Sequence, residues 1–277
     1  MNTAKTALVT GSTDGLGRAV ARALAARGYR VWLHGRDSGR GETLVREIRE
    51  QGGEAHFARA DFASLAQVRA LAADVLEALP RLDLLINNAG VGPATPQVRG
   101  RELSADGYEL RFAVNYLAGY LLTRQVLPLL ERSAPARIVN VSSGAQHPLD
   151  FDNLMLERAY SGARAYAQSK LAQILFTFDL ARELRERGVT VTCLHPATYM
   201  NTTMVHAMGV TPLNTVEDGA TAVLRLACAA QLAATSGEYF NGLEPARAHA
   251  QAYDASAQRR LAELSARLVS IAPGAAT

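Results

Sequence analysis

Tyr166 and Lys170, four positions apart, are the pair of residues whose chemistry first stands out in this sequence of 277 residues. On a helix, that spacing places both side chains on one face. An ammonium beside a phenol favours the phenolate and lowers the pKa of the phenol. At its ordinary pKa of about 10, a phenol is a poor acid or base at neutral pH. The pair could therefore handle a proton near pH 7, but this spacing is common and needs support from other motifs.

That support comes from polar residues near the ends of predicted strands. Ser143 follows the strand predicted at 137–142, and Asn88 follows the strand predicted at 82–87. Asn115 lies in the helix predicted between these two strands. In open α/β sheets, ligands bind outside the carboxyl ends of the strands. These residues are therefore candidates to surround the same reacting group as the pair.

A glycine-rich loop joins the first predicted strand to the first predicted helix. Its sequence is Thr10-Gly11-Ser12-Thr13-Asp14-Gly15-Leu16-Gly17. Glycines at this place allow a tight turn and let a pyrophosphate approach the backbone at a helix N-terminus. The Gly-x-x-x-Gly-x-Gly spacing differs from the commoner Gly-x-Gly-x-x-Gly, but its strand–helix context indicates a dinucleotide site.

The second predicted strand ends in residues that bear on the choice of cofactor. Arg36 lies at or next to its tip, and Asp37 follows. An arginine there favours a ribose 2′-phosphate through charge-assisted hydrogen bonds, whereas a carboxylate would bind a 2′-hydroxyl and repel the phosphate. We favour NADP(H) on the strength of Arg36, with Asp37 as a possible ribose contact instead.

Short apolar runs alternate with longer helical stretches along the chain. Strands are predicted at 7–10, 31–34, 55–59, 82–87, 137–142, 189–195 and 237–240. Helices are predicted at 18–27, 38–51, 65–79, 106–130, 160–187, 215–230 and 254–270. This alternation predicts a single doubly wound α/β domain of the Rossmann type over residues 1–277, with a parallel seven-stranded sheet and helices on both faces.

Composition excludes several classes of protein. Lysine plus arginine exceeds aspartate plus glutamate by 29 − 26 = 3, an excess too small and too scattered to predict nucleic-acid binding. The six histidines lack ligand spacing, so no metal site is predicted. Cys193 and Cys228 show no disulfide or CxxC pattern. With no signal peptide or membrane anchor found, we expect a cytoplasmic protein.

Taken together, the motifs resemble the short-chain dehydrogenase/reductase family. The matching positions follow the family's order over nearly the whole chain: Gly11, Gly15, Gly17, Asp61, Asn87, Asn88, Ala89, Gly90, Asn115, Ser143, Tyr166 and Lys170. The resemblance implies that Tyr166 exchanges a proton with the carbonyl oxygen and that Ser143 hydrogen-bonds that oxygen. It further implies that Lys170 lowers the Tyr166 pKa and holds the nicotinamide ribose, and that Asn115 maintains a water-linked proton relay.

The resemblance also implies the cofactor contacts. They are Gly11, Ser12, Thr13, Gly15, Leu16, Gly17, Arg36, Asp61, Phe62, Asn88, Ala89, Gly90, Tyr166, Lys170, Pro196, Thr198 and Thr202. Asp61 and Phe62 would border the adenine. The family's usual Pro-Gly is Pro-Ala at Pro196-Ala197 here. Because of this departure, either Thr198 or Thr202 could contact the nicotinamide carboxamide.

A narrower resemblance is to the retinol-dehydrogenase-like and WW-domain-oxidoreductase-like branch of the family. It depends on the long interval between Ser143 and Tyr166 and on the stretches 106–112, 169–177 and 237–240. Many members of this branch use NADP(H) and lipophilic aldehydes, ketones or alcohols. The resemblance therefore implies a small carbonyl or alcohol substrate of lipophilic character.

Three segments that follow strand ends should form the substrate pocket: 91–105, 146–159 and 199–214. The last is rich in methionine, which predicts a flexible lid over an apolar, bulky ligand. The predicted substrate contacts are Ser143, His147, Tyr166, Tyr199 and Met204.

The sequence thus predicts an NADP(H)-dependent carbonyl reductase or alcohol dehydrogenase with Tyr166 as acid and base. Two alternatives stay open, because a fold alone does not define a reaction. One is epimerisation or dehydration on the same scaffold. The other is a non-catalytic NADP(H)-sensing module, although such modules tend to lose the tyrosine or the lysine. The long helices predicted at 106–130 and 160–187 carry apolar residues on more than one face, which predicts a homodimer or homotetramer.

Overall fold

A computed structural model describes residues 4–93 and 100–270, so part of the predicted substrate segment 91–105 lies outside the described residues. The strands are β1 Thr6–Val9, β2 Arg30–Gly35, β3 Glu54–Arg59, β4 Leu84–Asn87, β5 Ala136–Val141, β6 Val189–His195, β7 Glu238–Asn241 and β8 Glu244–Ala246. The α-helices are α1 Gly15–Ala25, α2 Ser38–Glu50, α3 Leu65–Ala78, α4 Leu110–Phe112, α5 Ala118–Arg132, α6 Gly162–Glu183, α7 Thr203–Ala207, α8 Val216–Cys228 and α9 Ala255–Ser270.

The strands form one sheet in the order β3-β2-β1-β4-β5-β6-β7-β8. Neighbouring strands from β3 to β7 are parallel, and β8 pairs antiparallel with β7. The predicted doubly wound α/β fold is confirmed, and a short eighth strand extends the seven predicted ones. Its three residues include Pro245, a residue that sheets tolerate at an edge but that gives no strand signal in a sequence.

The sheet is covered on both faces. One hydrophobic cluster joins it to α3, α5, α6 and α9, and the other joins it to α1, α2 and α8. All four residues of β1 and of β4 are buried, as expected for strands with helices on either side. The strand order reverses between β1 and β4, so their carboxyl ends open onto the crevice where such sheets bind ligands.

Several predicted helix bounds are wrong, among them that of the first helix, predicted at 18–27 and observed as α1 Gly15–Ala25. The helix predicted at 106–130 begins at Leu110, because Gly107 has φ +82° and the Glu109 side chain caps the helix by accepting from the Phe112 N–H. It then passes through a π-helical turn, Ala113–Leu117, before α5. The helix predicted at 160–187 is α6, which Ser161 caps.

Candidate active site

The predicted pair lies on the buried side of α6. Lys170 Nζ is 5.8 Å from the centroid of the Tyr166 ring, so the two side chains do share a face. Burial raises the pKa of the Tyr166 phenol, and a hydrogen bond with the Ser143 side chain opposes this shift. In the structure, desolvation rather than the ammonium therefore dominates the pKa of this tyrosine.

Lys170 is almost completely buried, with 5% of its surface exposed. Its Nζ donates to the Val141 carbonyl oxygen at 2.9 Å and to Gln173 Oε1 at 3.0 Å. Burial lowers the Lys170 pKa to about 7, because a desolvated ammonium loses its hydration. A side chain at Gly90 would come within 3.6 Å of this Nζ, so the absence of a Cβ leaves this side of the ammonium uncovered.

Ser143 is held from two directions. Its backbone oxygen accepts from Gln146 Nε2 at 3.1 Å and from the Tyr239 hydroxyl at 3.2 Å, although Tyr239 is 96 positions away. The neighbouring Ser142 hydroxyl instead donates to the Lys170 carbonyl oxygen at 2.7 Å. The Ser142 hydroxyl is thus used in a hydrogen bond inside the fold. This favours Ser143 as the serine that faces the Tyr166 phenol.

Asn115 lies in the π-helical turn and cross-links two elements. Its Oδ1 accepts from the Val91 N–H at 2.7 Å, and its Nδ2 donates to the Val91 oxygen at 3.1 Å and to Ser169 Oγ at 3.0 Å. The Ser169 hydroxyl in turn donates to the Tyr166 carbonyl oxygen at 2.7 Å. Both amide protons are therefore used, so any relay at Asn115 would have to involve its backbone. We call the four predicted catalytic residues, Asn115, Ser143, Tyr166 and Lys170, the catalytic wall.

The glycine loop is fixed against the end of β4. Asn88 Nδ2 donates to the Thr10 and Gly11 carbonyl oxygens at 2.9 and 3.1 Å. A Cβ at Gly17 would lie 2.2 Å from the Gly11 oxygen, and Gly11 itself has φ +62°. The spacing of these glycines is therefore required by how tightly the loop folds over the start of α1.

His34 anchors the same loop from β2. Its Nδ1 accepts from the Gly11 N–H at 3.2 Å, its Nε2 lies 3.1 Å from the Ala60 carbonyl oxygen, and its ring stacks on Phe62. The Ser12 hydroxyl bonds the His34 backbone, so Ser12 supports the loop. Burial lowers the His34 pKa to about 4, which keeps the ring neutral at ordinary pH.

Phe62 and Asp61 were predicted to border an adenine. The Phe62 ring is 3% exposed and packs on His34, which leaves its backbone for such a contact. Asp61 is partly exposed, and its carboxylate caps the following turn by accepting from the Ala63 N–H at 2.9 Å.

Three arginines lie near the carboxyl ends of β2 and β3: Arg36 directly after β2, Arg59 at the end of β3, and Arg40 in the first turn of α2. Arg36 is exposed, and among the described residues none accepts a hydrogen bond from its guanidinium. Arg59 Nε donates to the Arg36 carbonyl oxygen at 3.1 Å, and Arg40 lies within 3.6 Å of the Asp37 carboxylate. Asp37 caps α2 by accepting from the Arg40 N–H at 3.0 Å. This use of Asp37 favours Arg36, with Arg59 and Arg40, as the groups that would meet a ribose substituent.

The segment after β6 separates the two candidate threonines. The Thr198 hydroxyl lies 2.9 Å from His195 Nε2, and burial together with the Lys170 charge lowers the His195 pKa. Thr202 instead caps α7, and its methyl group faces Gly15. The Thr198 hydroxyl thus contacts the His195 ring, whereas Thr202 lies against the glycine loop. Pro196, which directly follows β6, is buried.

Residues 199–214, which we call the lid, contain the short helix α7 that the sequence did not predict. The Thr203 hydroxyl donates to Asp14 Oδ2 at 2.8 Å, and Met204 lies against Gly92, where a Cβ would be 2.9 Å from its Cγ. The lid therefore crosses from the glycine loop to the segment after β4. Tyr199 has φ +45° and is 42% exposed, and a non-glycine residue in this conformation stores backbone strain.

His147, the remaining predicted substrate contact, is partly exposed in the segment after β5. Its Nδ1 lies 2.9 Å from the Pro148 carbonyl oxygen. The ring is thus engaged locally, and its contact with a substrate stays a prediction.

Sequence reasoning missed the residues that hold the site from a distance. Gln146, Tyr239, His34 and Gln173 all bond a predicted site residue. Tyr239 and Gln173 lie in stretches singled out by the resemblance, but nothing in the spacing indicated that Tyr239 contacts Ser143.

Two further features bear on function within residues 4–93 and 100–270. No helix there combines the length and the hydropathy needed to cross a bilayer. Nor do three or more histidine, cysteine, aspartate or glutamate side chains gather there in a way that could hold a metal ion.

Comparison with known proteins agrees with this geometry. The family model described as short chain dehydrogenase matches residues 5–211. Human retinol dehydrogenase 13 is 38% identical over 287 residues, which cover 96% of this chain and 85% of that protein. The chain belongs to the short-chain dehydrogenase family. Within it, the chain falls in the retinol-dehydrogenase-like branch.

Solved structures lead to the same class. The NADP active-site complex of RhlG from Pseudomonas aeruginosa is 28% identical, with a TM-score of 0.71 over 86% of this chain and 95% of that one. The 3-ketoacyl-(acyl-carrier-protein) reductase from Brucella melitensis, complexed with NADH, is 26% identical, with a TM-score of 0.68 over 86% of this chain and 96% of that one. The protein is therefore an oxidoreductase that transfers hydride with a nicotinamide cofactor.

Proposed function

We propose that this protein interconverts a lipophilic aldehyde or ketone and its alcohol with NADP(H), and that Tyr166 is the acid and base. The observation that carries the proposal is the placement of the Tyr166 phenol next to the Ser143 side chain, with the buried Lys170 Nζ 5.8 Å from the centroid of the Tyr166 ring. Human retinol dehydrogenase 13, similar over almost the whole chain, favours a retinol-like alcohol or its aldehyde as the substrate class.

The residues present fit such a cofactor. The glycine loop, with Gly11 at φ +62°, leads into the N-terminus of α1, where backbone N–H groups favour a pyrophosphate. Gly90 leaves space in front of Lys170, so the ammonium would hold the nicotinamide ribose. A bound nicotinamide supplies the hydride in reduction and accepts it in oxidation.

The catalytic wall then has one proton to manage. In reduction, the Ser143 hydroxyl hydrogen-bonds the carbonyl oxygen of the substrate and the Tyr166 phenol gives that oxygen its proton. In oxidation, the Tyr166 phenolate removes the alcohol proton. Because burial raises the Tyr166 pKa, the phenol stays protonated through neutral pH, and reduction should be the faster direction there.

A Tyr166→Phe variant tests the chemistry. We expect turnover of aldehydes to fall by about 10³-fold or more, since general acid catalysis contributes 10²–10⁴-fold, while the NADPH Kd changes less than about threefold. Tyr29→Phe, which removes a hydroxyl beside Cys228, is the matched control and should keep full activity. Near-normal turnover by Tyr166→Phe would sink the proposal, and cofactor recycling without net NADPH consumption would favour epimerisation.

The NADP(H) preference rests on Arg36. We expect Arg36→Ala to weaken NADPH binding about tenfold or more, because a charge-assisted bond to a 2′-phosphate is worth more than about 1.5 kcal/mol. NADH binding should change little. Arg22→Ala, which removes the same charge from an exposed site on α1, should leave the NADPH to NADH ratio intact. An unchanged ratio in Arg36→Ala would reject this assignment.

The homodimer or homotetramer and the cytoplasmic location stay predictions. The apolar faces that suggested subunit pairing are largely used inside one chain. Tyr120 and Phe176 pack against each other at the α5–α6 contact, and the Tyr116 hydroxyl bonds Ser265 of α9. A subunit interface would therefore have to use other faces, and the mass in light scattering decides between one, two and four subunits.

A further inference from the structure

Gln173 has no part in the proposed chemistry, yet it touches the lysine on which that chemistry depends. It lies three positions after Lys170 on α6, a spacing that places both on one helix face. The Gln173 side chain is 5% exposed, and its Oε1 accepts from Lys170 Nζ at 3.0 Å. A buried glutamine with its oxygen on an ammonium is in a position to control that ammonium.

The donors of Lys170 can be counted. A protonated lysine has three N–H donors. The Val141 carbonyl oxygen takes one at 2.9 Å, and Gln173 Oε1 takes another. The third is left for the side where Gly90 keeps space open, since a Cβ there would lie 3.6 Å from Nζ. Two fixed acceptors thus leave the remaining donor on the side of Gly90.

The groups that face Lys170 supply no negative charge at neutral pH. Tyr166 faces it from the same helix and His195 from β6, and both are neutral there, because burial raises the pKa of the phenol and lowers the pKa of the imidazole. Val141 of β5 presents its carbonyl oxygen, and Gly90, which also lies near the amide of Asn115, adds no charge. The ammonium is therefore stabilised by neutral oxygens alone. Since burial brings the Lys170 pKa to about 7, each of these oxygens changes how much of the lysine is charged at neutral pH.

We propose that Gln173 is a positioning residue for Lys170, which keeps the buried amine protonated and directs its free N–H toward the cofactor ribose. The second half of this statement rests on the proposed function, in which Lys170 serves the cofactor. The first half concerns the protein alone and is tested without any substrate.

The composition makes the test direct, because the 277 residues contain only two lysines, Lys5 and Lys170. Protein labelled with ¹³C-lysine gives two Cε signals, and the exposed Lys5 is an internal reference. The Lys170 signal is followed from pH 5 to 10 in the wild type, in Gln173→Met and in Gln173→Glu. Gln258→Glu is the matched control, since Gln258 is also buried and its Oε1 accepts from Arg182 at 2.8 Å.

We expect the Lys170 midpoint to fall by one pH unit or more in Gln173→Met, which removes the acceptor. It should rise by one unit or more in Gln173→Glu, which sets a carboxylate against the ammonium. Each shift is a tenfold change in proton affinity. Gln258→Glu should leave the midpoint within about 0.2 units of the wild type.

A Lys170 midpoint that stays at the wild-type value in Gln173→Met would overturn the proposal. If Gln173→Met does not fold, Gln173→Glu decides, because it keeps the shape of the side chain, and an unmoved midpoint there has the same meaning. A purely structural role for Gln173 would lower stability without moving the midpoint.

The pH dependence of the NADPH Kd provides the second readout. The pH at which binding weakens should follow the Lys170 midpoint in each variant. If the Lys170 midpoint moves but the pH dependence of the NADPH Kd does not, the role of Gln173 in directing the N–H toward the ribose is overturned and its role in protonation stands. A protein that shows the midpoint shifts but reduces no aldehyde would refute the proposed function and leave the role of Gln173 intact.

Discussion

The catalytic wall and the lid, which are both predicted to surround the substrate, are held in different ways. Ser143 and Lys170 are 7% and 5% exposed, and each is bonded by groups from other parts of the chain. In the lid, Met204 and Leu213 are 37% and 69% exposed. Removing a partner from the wall would leave a buried polar group unsatisfied, at a cost of about 1–3 kcal/mol. Met204 and Leu213 are apolar and exposed, so replacing them would leave no buried polar group without a partner.

The difference indicates that the two regions serve different purposes, proton transfer in the wall and substrate binding in the lid. A proton must pass between atoms at hydrogen-bond distance, so the wall needs a single geometry. A lipophilic substrate needs apolar surface of roughly the right shape, which flexible side chains provide. We therefore expect substitutions in the wall to act on turnover and substitutions in the lid to act on KM.

Among the tests of this comparison, the largest effect should come from Ser143→Ala. Loss of the hydroxyl that we propose to bond the reacting oxygen should lower kcat by about 10²–10³-fold, with the NADPH Kd unchanged, in steady-state kinetics of aldehyde reduction. Thr203→Val in the lid also loses a hydroxyl, the one that bonds Asp14, and should change kcat less than about threefold. Equal losses in the two variants would erase the distinction between wall and lid.

The next effect concerns stability, through His34. Its pKa is about 4 in the folded protein and about 6.5 when unfolded, so the unfolded chain binds the extra proton between these values. Stability present above pH 6.5 should therefore be lost as the pH falls to 4, by about 3 kcal/mol.

Urea unfolding across this pH range checks the expectation. His34→Gln should lack this component of the pH dependence, whereas His206→Gln, an exposed histidine of the lid, should retain it. The same slope in His34→Gln and in the wild type would show that the glycine loop does not depend on a neutral His34.

A smaller effect should follow from Tyr239→Phe, which removes one of the two hydrogen bonds to the Ser143 carbonyl oxygen. A net hydrogen bond is worth about 1 kcal/mol, so kcat should fall about fivefold while KM is unchanged. Because burial raises the Tyr239 pKa to about 12, this effect should be constant from pH 6 to 9. A change in KM alone would place Tyr239 in the pocket and not behind the wall.

The smallest effect on kcat should come from Met204→Ala. Trimming this side chain removes apolar surface beside Gly92, which should raise KM for a bulky lipophilic aldehyde about threefold to tenfold. KM for a short aldehyde and kcat for both should stay within about twofold. A loss of kcat as large as that of Tyr239→Phe would mean that the lid helps to set the reacting geometry.

Much of the fold follows from local pattern. The alternation of apolar strands and amphipathic helices predicted the doubly wound sheet, and a spacing of four placed Tyr166 and Lys170 on one face. The misses have local causes too. Gly107 at φ +82° delays the start of α4, and the three residues of β8 gain their structure only by pairing with β7.

What the sequence by itself determined is the order of the elements, because periodicity and turn glycines act over a few residues. It also indicated the candidate reacting side chains, through their resemblance to the family motifs. Only the tertiary structure decided what holds those side chains. The bonds from Tyr239 to Ser143 and from His34 to Gly11 join residues 96 and 23 positions apart. The direction of the Tyr166 and Lys170 pKa shifts was also decided there, since burial is a property of the packed molecule and not of the chain.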